Sequence, residues 1–314
     1  MVTDGTDPRA YRFPADSLRC MPKTPIRDVS IAFETHGDAS HRAVMLIAGL
    51  GSQLVYWSPE VVGDLVERGY FVIRFDNRDA GHSSGFDDWG EVDLQKVLVS
   101  ALTGRRPHVP YDLADMAGDA VGLLDHLGVE RAHVVGHSMG GMIAQRLAID
   151  HGERVLSLVS MMSTTGEPGV GAPSPEAAGL IMRAPATTRA AAIEASVDAM
   201  RITWGPHHFD ETRATNRATE AHDRSFRPTG IGRQFGAIVS DGNRTAELAA
   251  LQTPALVVHG AADPLIHLSG GEATAAAIPS AALVVFEDLG HDLPPALWPP
   301  IRDRMVEHFS GRTP

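Results

Sequence analysis

Cysteine is nearly absent from this sequence. The chain has one cysteine, Cys20, so a disulfide within the chain is excluded. No histidine or acidic residue stands beside Cys20 in sequence to activate its thiol, and we interpret it as an incidental residue. A chain without disulfides is typical of a reducing compartment, and we predict a cytoplasmic protein.

Positive charge and long apolar runs are also scarce. Lysine and arginine number 27 against 39 acidic residues, which gives a net charge of −12 with no basic block. Binding to nucleic acid or to an anionic membrane requires a basic surface, so we predict neither partner. No apolar run reaches the roughly 18 residues of a membrane span, and the N-terminus lacks the apolar stretch of a secretion signal. The oligomeric state stays open.

Apolar patterns predict strands that alternate with helices. After Ser58, a proline and an apolar stripe indicate a helix, and a second helix is indicated by apolar residues from Leu113 to a glycine at position 128. This alternation predicts an α/β fold, a mostly parallel sheet covered by helices on both faces. The predicted strands are residues 29–33, 43–48, 70–75, 133–135, 155–161, 255–258 and 283–286.

The alternation stops between residues 166 and 250. Turns rich in glycine and proline join alanine-rich helical stretches there, such as residues 189–200, and no strand pattern is evident. A disordered linker is the alternative, but Trp204, Phe209 and Phe226 are apolar anchors that a solvated linker does not need. We therefore predict a core of residues 1–165 and 251–314 with a helical lid, residues 166–250, inserted into it.

Ser138 is the predicted nucleophile. It lies in the pattern Gly-x-Ser-x-Gly of residues 136–140, between an apolar strand and an apolar helix. That context is typical of a sharp strand-to-helix turn, which holds the serine in a strained, exposed position that small neighbours leave uncrowded. A serine hydroxyl is a weak nucleophile at neutral pH, so the site requires a base and an acid that orients the base.

His291 and Asp263 are the predicted base and acid. Each follows a predicted strand near the C-terminus, where the strand ends of a parallel sheet gather functional groups. Asp288 and Asp292 are rivals of Asp263, but residues so close to His291 on one turn rarely face the imidazole Nδ1 atom. The chain order Ser138, Asp263, His291 also matches the order of nucleophile, acid and base in hydrolases whose serine lies on such a strand-to-helix turn.

An oxyanion requires backbone donors beside the nucleophile. The amide of Met139, directly after the serine, is the first predicted donor. The amide of Leu50, in the glycine-containing loop after the strand at residues 43–48, is the second.

Three other groups of polar residues are interpreted as structural. We expect His137 to pack behind the nucleophile, because adjacent side chains on a sharp turn point apart. Residues 76–83 are expected to form a hydrogen-bonded turn. His207, His208 and His222 lack a recognised zinc spacing, so no metal is predicted.

These motifs resemble those of the α/β-hydrolase family. The resemblance rests on residues 47–51, 76–83, 136–141, 259–264 and 290–291, and it spans nearly the whole chain. It implies an eight-stranded core with a lid between the sixth and seventh strands, and Ser138, Asp263 and His291 as the triad. Ala48 stands where the family usually has histidine, so that histidine's role in the oxyanion loop does not carry over.

Residues 43–165 are most similar to small actinobacterial esterases such as the anthracycline methylesterases, which hydrolyse methyl esters of polyketides. A serine at position 138 also differs from the aspartate of haloalkane dehalogenases and epoxide hydrolases in this family.

The predicted function is hydrolysis of a carboxylic ester of a partly hydrophobic small molecule through an acyl-enzyme, without a cofactor. The same triad permits a carbon–carbon bond hydrolase, a lactonase or a cofactor-free perhydrolase. A ligand-binding receptor that retains the fold without turnover is the alternative outside catalysis.

Overall fold

A computed structural model describes residues 22–311 except residues 182, 184, 185, 187 and 206. Cys20 and the charged N-terminal residues lie outside the described residues, and so does the part of the predicted core that precedes residue 22 or follows residue 311.

Eight strands form one sheet with the order β1-β2-β4-β3-β5-β6-β7-β8. They are β1 (Lys23–Ile26), β2 (Val29–His36), β3 (Arg42–Ile47), β4 (Tyr70–Phe75), β5 (Ala132–His137), β6 (Val155–Met161), β7 (Ala255–Gly260) and β8 (Ala281–Phe286). β2 is antiparallel to both β1 and β4, and all other neighbours are parallel. The predicted mostly parallel sheet is confirmed, and β1 is an edge strand that the apolar pattern did not predict.

Helices cover both faces of the sheet. They are α1 (Pro59–Glu67), α2 (Leu94–Thr103), α3 (Leu113–His126), α4 (Met139–Asp150), α5 (Pro175–Ile181), α6 (Arg189–Thr203), α7 (Glu211–Arg224), α8 (Pro228–Asp241), α9 (Thr245–Leu248), α10 (Ser269–Ala277) and α11 (Trp298–Phe309). The predicted start of α1 is confirmed, because the Ser58 side chain accepts a hydrogen bond from the amide of Val61 and proline occupies the first helical position.

The core consists of two apolar layers, one on each face of the sheet. Alternate residues of β3 point to opposite faces: Met45 and Ile47 belong to the layer with α3 and α4, and Val44 and Leu46 belong to the layer with α1 and α11. All four side chains are fully buried. Burial on both faces explains why the strands have continuous apolar runs rather than alternating ones.

The helices α5 to α9 form an insertion between β6 and β7, and no strand occurs among its described residues. The helical insertion after the sixth strand is confirmed. Helix α2, which the sequence analysis did not predict, packs against α8 and so adds a segment from before α3 to this lid. The division of the chain at residues 165 and 251 stays a prediction. Among the described helices, none combines the length and the apolar character that a membrane crossing requires.

Candidate active site

Ser138 lies at the sharp turn between β5 and α4. Its backbone has φ 58° and ψ −122°, a conformation that L-residues rarely adopt and that stores strain. The turn is fixed on both sides: the Ser138 amide donates to the Met161 carbonyl at 2.9 Å, and the Ser163 hydroxyl donates to the Ser138 carbonyl at 2.9 Å. The predicted strand–turn–helix context of the serine is therefore present.

The glycines around Ser138 are required by close backbone packing. A Cβ atom on Gly136 would overlap the carbonyl of Gly140, and one on Gly140 would overlap the carbonyl of Ile47 at the end of β3. The Gly-x-Ser-x-Gly pattern thus reflects two places where α4 contacts the sheet through bare backbone.

His291 and Asp263 are brought together by the loops after β8 and β7. The His291 Nδ1 atom lies 2.7 Å from the Asp263 Oδ2 atom, and both side chains are buried. The other carboxylate oxygen, Oδ1, accepts hydrogen bonds from the amides of Leu265 and Ile266 at 2.8 and 2.9 Å. Because an ionised carboxylate only accepts, this geometry places the His291 proton on Nδ1 and leaves Nε2 able to accept another.

The rival aspartates are bound elsewhere or exposed. Asp288 is exposed on the surface of the β8 loop. Asp292 is buried, and its carboxylate pairs with Arg217 at 2.7 Å and with Arg213 at 3.2 Å, both from α7. The structure thus brings Asp263, and neither of its rivals, to the imidazole of His291.

The predicted oxyanion donors lie beside Ser138. Met139 is the first residue of α4, so its amide has no carbonyl partner within the helix. Gly49 packs so closely that a Cβ atom on it would be 3.1 Å from the Ser138 Cβ atom, and Leu50 lines the same cavity as Ser138. The loop is held by the Asn77 side chain, which donates to the Ala48 carbonyl at 3.0 Å.

The lid also holds this loop. Gln234 of α8 accepts a hydrogen bond from the Gly51 amide at 2.8 Å, and Arg224 of α7 donates to the side chain of Gln53 at 2.6 Å. Arg224 pairs as well with Asp76 at 2.7 Å, and Asp76 accepts from the Leu54 amide at 2.8 Å.

Residues 76–83 form the expected hydrogen-bonded turn. Its polar groups connect the oxyanion loop to the lid, and the Ser83 hydroxyl closes the turn by donating to the Asp76 carbonyl.

His137 packs between aromatic rings rather than facing the serine as a base. Its ring stacks on Tyr56 with centroids 4.6 Å apart and lies 4.8 Å from the ring of His291. Burial, followed by the nearby His291 and Arg217, holds the pKa of His137 well below its ordinary value. His137 is thus a neutral spacer beside the predicted base, which agrees with the expectation that it packs.

A cavity of about 540 Å³ opens over Ser138 beneath the lid. Ser138, His291 and Leu50 line its floor. Its wall is largely apolar, although the charged residues Glu91 and Arg183 also line it. The apolar lining residues include Val92, Leu94, Leu180, Met200, Trp204 and Ile231. Arg217 contributes a cation already paired with Asp292. Such a wall accommodates a partly hydrophobic small molecule.

Metal-ligating side chains do not cluster in the described residues: no group of three or more histidine, cysteine or acidic side chains is arranged to hold an ion.

The sequence analysis missed the residues that attach the lid to the site. Arg213, Arg217 and Arg224 recur at steps of four and seven, which places them on one face of α7. This spacing indicates an arginine face on the helix, but the residues that the arginines bind are distant in sequence. Gln53, Gln234 and Asn77 carried no pattern that could have identified them.

Two named enzymes are similar to this chain in sequence. Rhodomycin D methylesterase of Streptomyces peucetius is 31% identical over 308 residues, which cover 91% of this chain and 97% of that protein. The 2-hydroxymuconate semialdehyde hydrolase of Pseudomonas putida is 33% identical over 214 residues, 63% of this chain and 69% of that protein.

In fold, the chain is similar to the crystal structure of an enol-lactonase from Burkholderia xenovorans, with a TM-score of 0.70 at 23% identity over 92% of this chain and 100% of that one. The profile of the alpha/beta hydrolase fold family matches residues 42–294, which is most of the chain. The eight-stranded sheet, the helical insertion after β6 and this match together show that the chain belongs to the α/β-hydrolase family.

Proposed function

We propose that the protein hydrolyses a carboxylic ester of a partly hydrophobic small molecule through an acyl-enzyme. His291 takes the proton of Ser138, which attacks the ester carbonyl, and Asp263 stabilises the resulting imidazolium. The alcohol leaves with a proton from His291. Water activated by the same imidazole then attacks the acyl-enzyme and releases the acid.

One observation carries this proposal: the 2.7 Å contact between His291 Nδ1 and Asp263 Oδ2 at the edge of the cavity that contains Ser138. Two backbone amides hold the carboxylate in place, so the imidazole is oriented before a substrate binds. A preorganised base of this kind supports acyl transfer at a serine more directly than any feature of the fold does.

The oxyanion of the tetrahedral intermediate is proposed to bind the amides of Leu50 and Met139. Loss of one such donor costs about 3 to 4 kcal/mol of transition-state stabilisation. Because both groups belong to the backbone, substitution of either side chain is expected to cost less.

The largely apolar cavity wall and one relative support an ester of a partly hydrophobic molecule. A relative of nearly full-length coverage is named a methylesterase, which favours a small alcohol group. Carbon–carbon bond hydrolysis is the second candidate, because a relative is named 2-hydroxymuconate semialdehyde hydrolase. A muconate carries a carboxylate, and of the two described arginines that line the cavity, Arg217 is paired with Asp292 and Arg183 lies 3.9 Å from Asp198. Lactone hydrolysis and perhydrolysis use the same triad and stay alternatives.

Hydrolysis of p-nitrophenyl esters of increasing acyl length tests the proposal. We expect a burst of p-nitrophenol equal to the enzyme concentration when deacylation is slow, and steady hydrolysis otherwise. Ser138→Ala should abolish both, whereas Ser100→Ala on α2, remote from the cavity, should behave as the wild type. If the folded protein releases no p-nitrophenol but consumes 2-hydroxymuconate semialdehyde, carbon–carbon bond hydrolysis replaces ester hydrolysis as the proposed function.

A further inference from the structure

Two arginines of the lid bind the residue next to the predicted base. Arg213 and Arg217 lie one turn apart on α7, and both pair with the carboxylate of Asp292, at 3.2 and 2.7 Å. Arg213 also donates to the carbonyl of Leu293 at 2.9 Å. Burial alone would lower the pKa of Arg217, but its interactions with Asp292 and Tyr56 outweigh burial and raise it above the ordinary value. The guanidinium therefore stays charged.

Arg217 is also linked to His291 through stacked rings. Its guanidinium lies over the ring of Tyr56 at 4.5 Å, Tyr56 stacks on His137 at 4.6 Å, and the His137 ring lies 4.8 Å from that of His291. Cation–π and ring contacts of this kind fix orientation. A series of contacting side chains thus runs from Arg217 to the ring of His291, and Arg217 also pairs with Asp292, the residue that follows His291.

The backbone of the His291 loop is attached to the lid as well. The His291 amide donates to the carbonyl of Thr203, at the end of α6, at 2.6 Å. Gly290 lies against Gly205, where a Cβ atom on Gly205 would be 3.0 Å from the Gly290 amide nitrogen. The loop that carries the predicted base therefore rests on α6 and α7 rather than on the core alone.

The titratable groups around His291 come from five segments of the chain. Two guanidinium groups meet one carboxylate at Asp292, so this cluster carries an excess of positive charge. Burial lowers the pKa of both His137 and His259, which keeps these neighbours neutral. The facing groups are His137 from β5, His259 from β7, Asp263 from the loop after β7, Arg213 and Arg217 from α7, and Asp292 from the loop of His291 itself.

We propose that Arg217 and Asp292 are positioning residues for His291, which orient its ring and balance the charge around it. This inference rests on the proposed role of His291 as the base. Neither residue exchanges a proton with the substrate. Because the two carry opposite charges, removal of one must alter proton binding at the base in the opposite direction to removal of the other.

The experiment follows the labelling of Ser138 by an alkyl fluorophosphonate as a function of pH. Labelling requires the nucleophile and its base but no particular ester. In Arg217→Gln, the lost cation should move the acid limb of the rate profile to higher pH, by about half a unit to one unit. In Asp292→Asn, two unneutralised arginines should move it to lower pH by a similar amount.

Two further variants separate charge from packing. Arg217→Lys retains the charge but lacks the planar group that stacks on Tyr56, so the acid limb should stay in place while the maximal labelling rate falls. Arg189→Gln removes an exposed lid arginine paired with Asp223 and should change neither quantity. Circular dichroism of each variant identifies any that do not fold. If Arg217→Gln unfolds, Arg217→Lys still tests the inference, because it retains the ion pair.

Opposite displacements of the acid limb support the inference, even if no ester is hydrolysed and the proposed function fails. Displacements in the same direction, or none, overturn it while leaving an observed esterase activity intact. Wild-type protein that is not labelled at all also overturns it, because His291 then activates no nucleophile.

Discussion

Replacement of Asp263 by asparagine tests the triad most directly. Asparagine has nearly the same shape, but one of the two carboxylate oxygens becomes an NH₂ group that only donates. The amides of Leu265 and Ile266 both donate to Oδ1, at 2.8 and 2.9 Å. The retained carbonyl of the asparagine must therefore occupy that position, and its NH₂ group must face the Nδ1 atom of His291.

A donor at this position reverses the tautomer of the imidazole. Nδ1 becomes the acceptor, the proton moves to Nε2, and Nε2 can no longer accept the proton of Ser138. In serine hydrolases, an aspartate-to-asparagine change of this kind lowers kcat about 10⁴-fold, which corresponds to about 5.5 kcal/mol. We expect a loss of that size in Asp263→Asn with little change in thermal stability, because the hydrogen bonds to the two amides persist.

The assay is the kcat for a p-nitrophenyl ester, with Asp288→Asn as the matched control. Asp288 lies three residues before His291 but is exposed, so its variant should retain wild-type kcat within about threefold. A kcat for Asp263→Asn within tenfold of wild type, or a larger loss in Asp288→Asn, would refute the assignment of the acid.

Three further predictions concern stability. Burial, with smaller effects of nearby cations, lowers the pKa of His133 from 6.5 to about 4, so the unfolded state takes up a proton first as the pH falls. In urea titrations between those pH values, the unfolding free energy of the wild type should fall more steeply than that of His133→Gln, by about 1.4 kcal/mol per pH unit. Gly136→Ala, which forces a Cβ atom against Gly140, should abolish activity and lower stability by about 3 kcal/mol in thermal unfolding. Arg233→Met leaves the buried carboxylate of Asp79 without its cation and should cost about 3–5 kcal/mol in urea unfolding, whereas unchanged stability would contradict the importance of that pair.

Strands buried on both faces were the easiest elements to predict. The strands at residues 70–75 and 155–161 have the bounds expected from their apolar runs, because a strand that is buried on both faces consists mainly of apolar residues. The short edge strand β1 was missed, since four residues with a proline carry no such pattern. Helix α10 was missed for a related reason: its two glycines and alanines form no apolar stripe, and Gly271 packs closely against His259 instead.

The residues proposed as the triad were recognisable because each follows its own strand in a fixed chain order. The contacts around these three residues were not recognisable from the sequence. Asp263 contacts His291, whereas Asp292 pairs with the arginines of α7, and that second pairing joins residues about 75 positions apart. Sequence patterns report periodicity within an element, so contacts between a lid helix and a core loop lie beyond them.

The attachment of the lid through Gln53, Arg224 and Gln234 limits how substrate preference can change in this protein during evolution or engineering. A lid taken whole from a relative would lose these anchors, and the oxyanion loop would lose its support with them. Leu180 and Met200 line the cavity, whereas Ile231, which also lines it, packs against Gly51 of the oxyanion loop. Mutational libraries confined to positions 180 and 200 should alter the accepted ester while the catalytic geometry is retained.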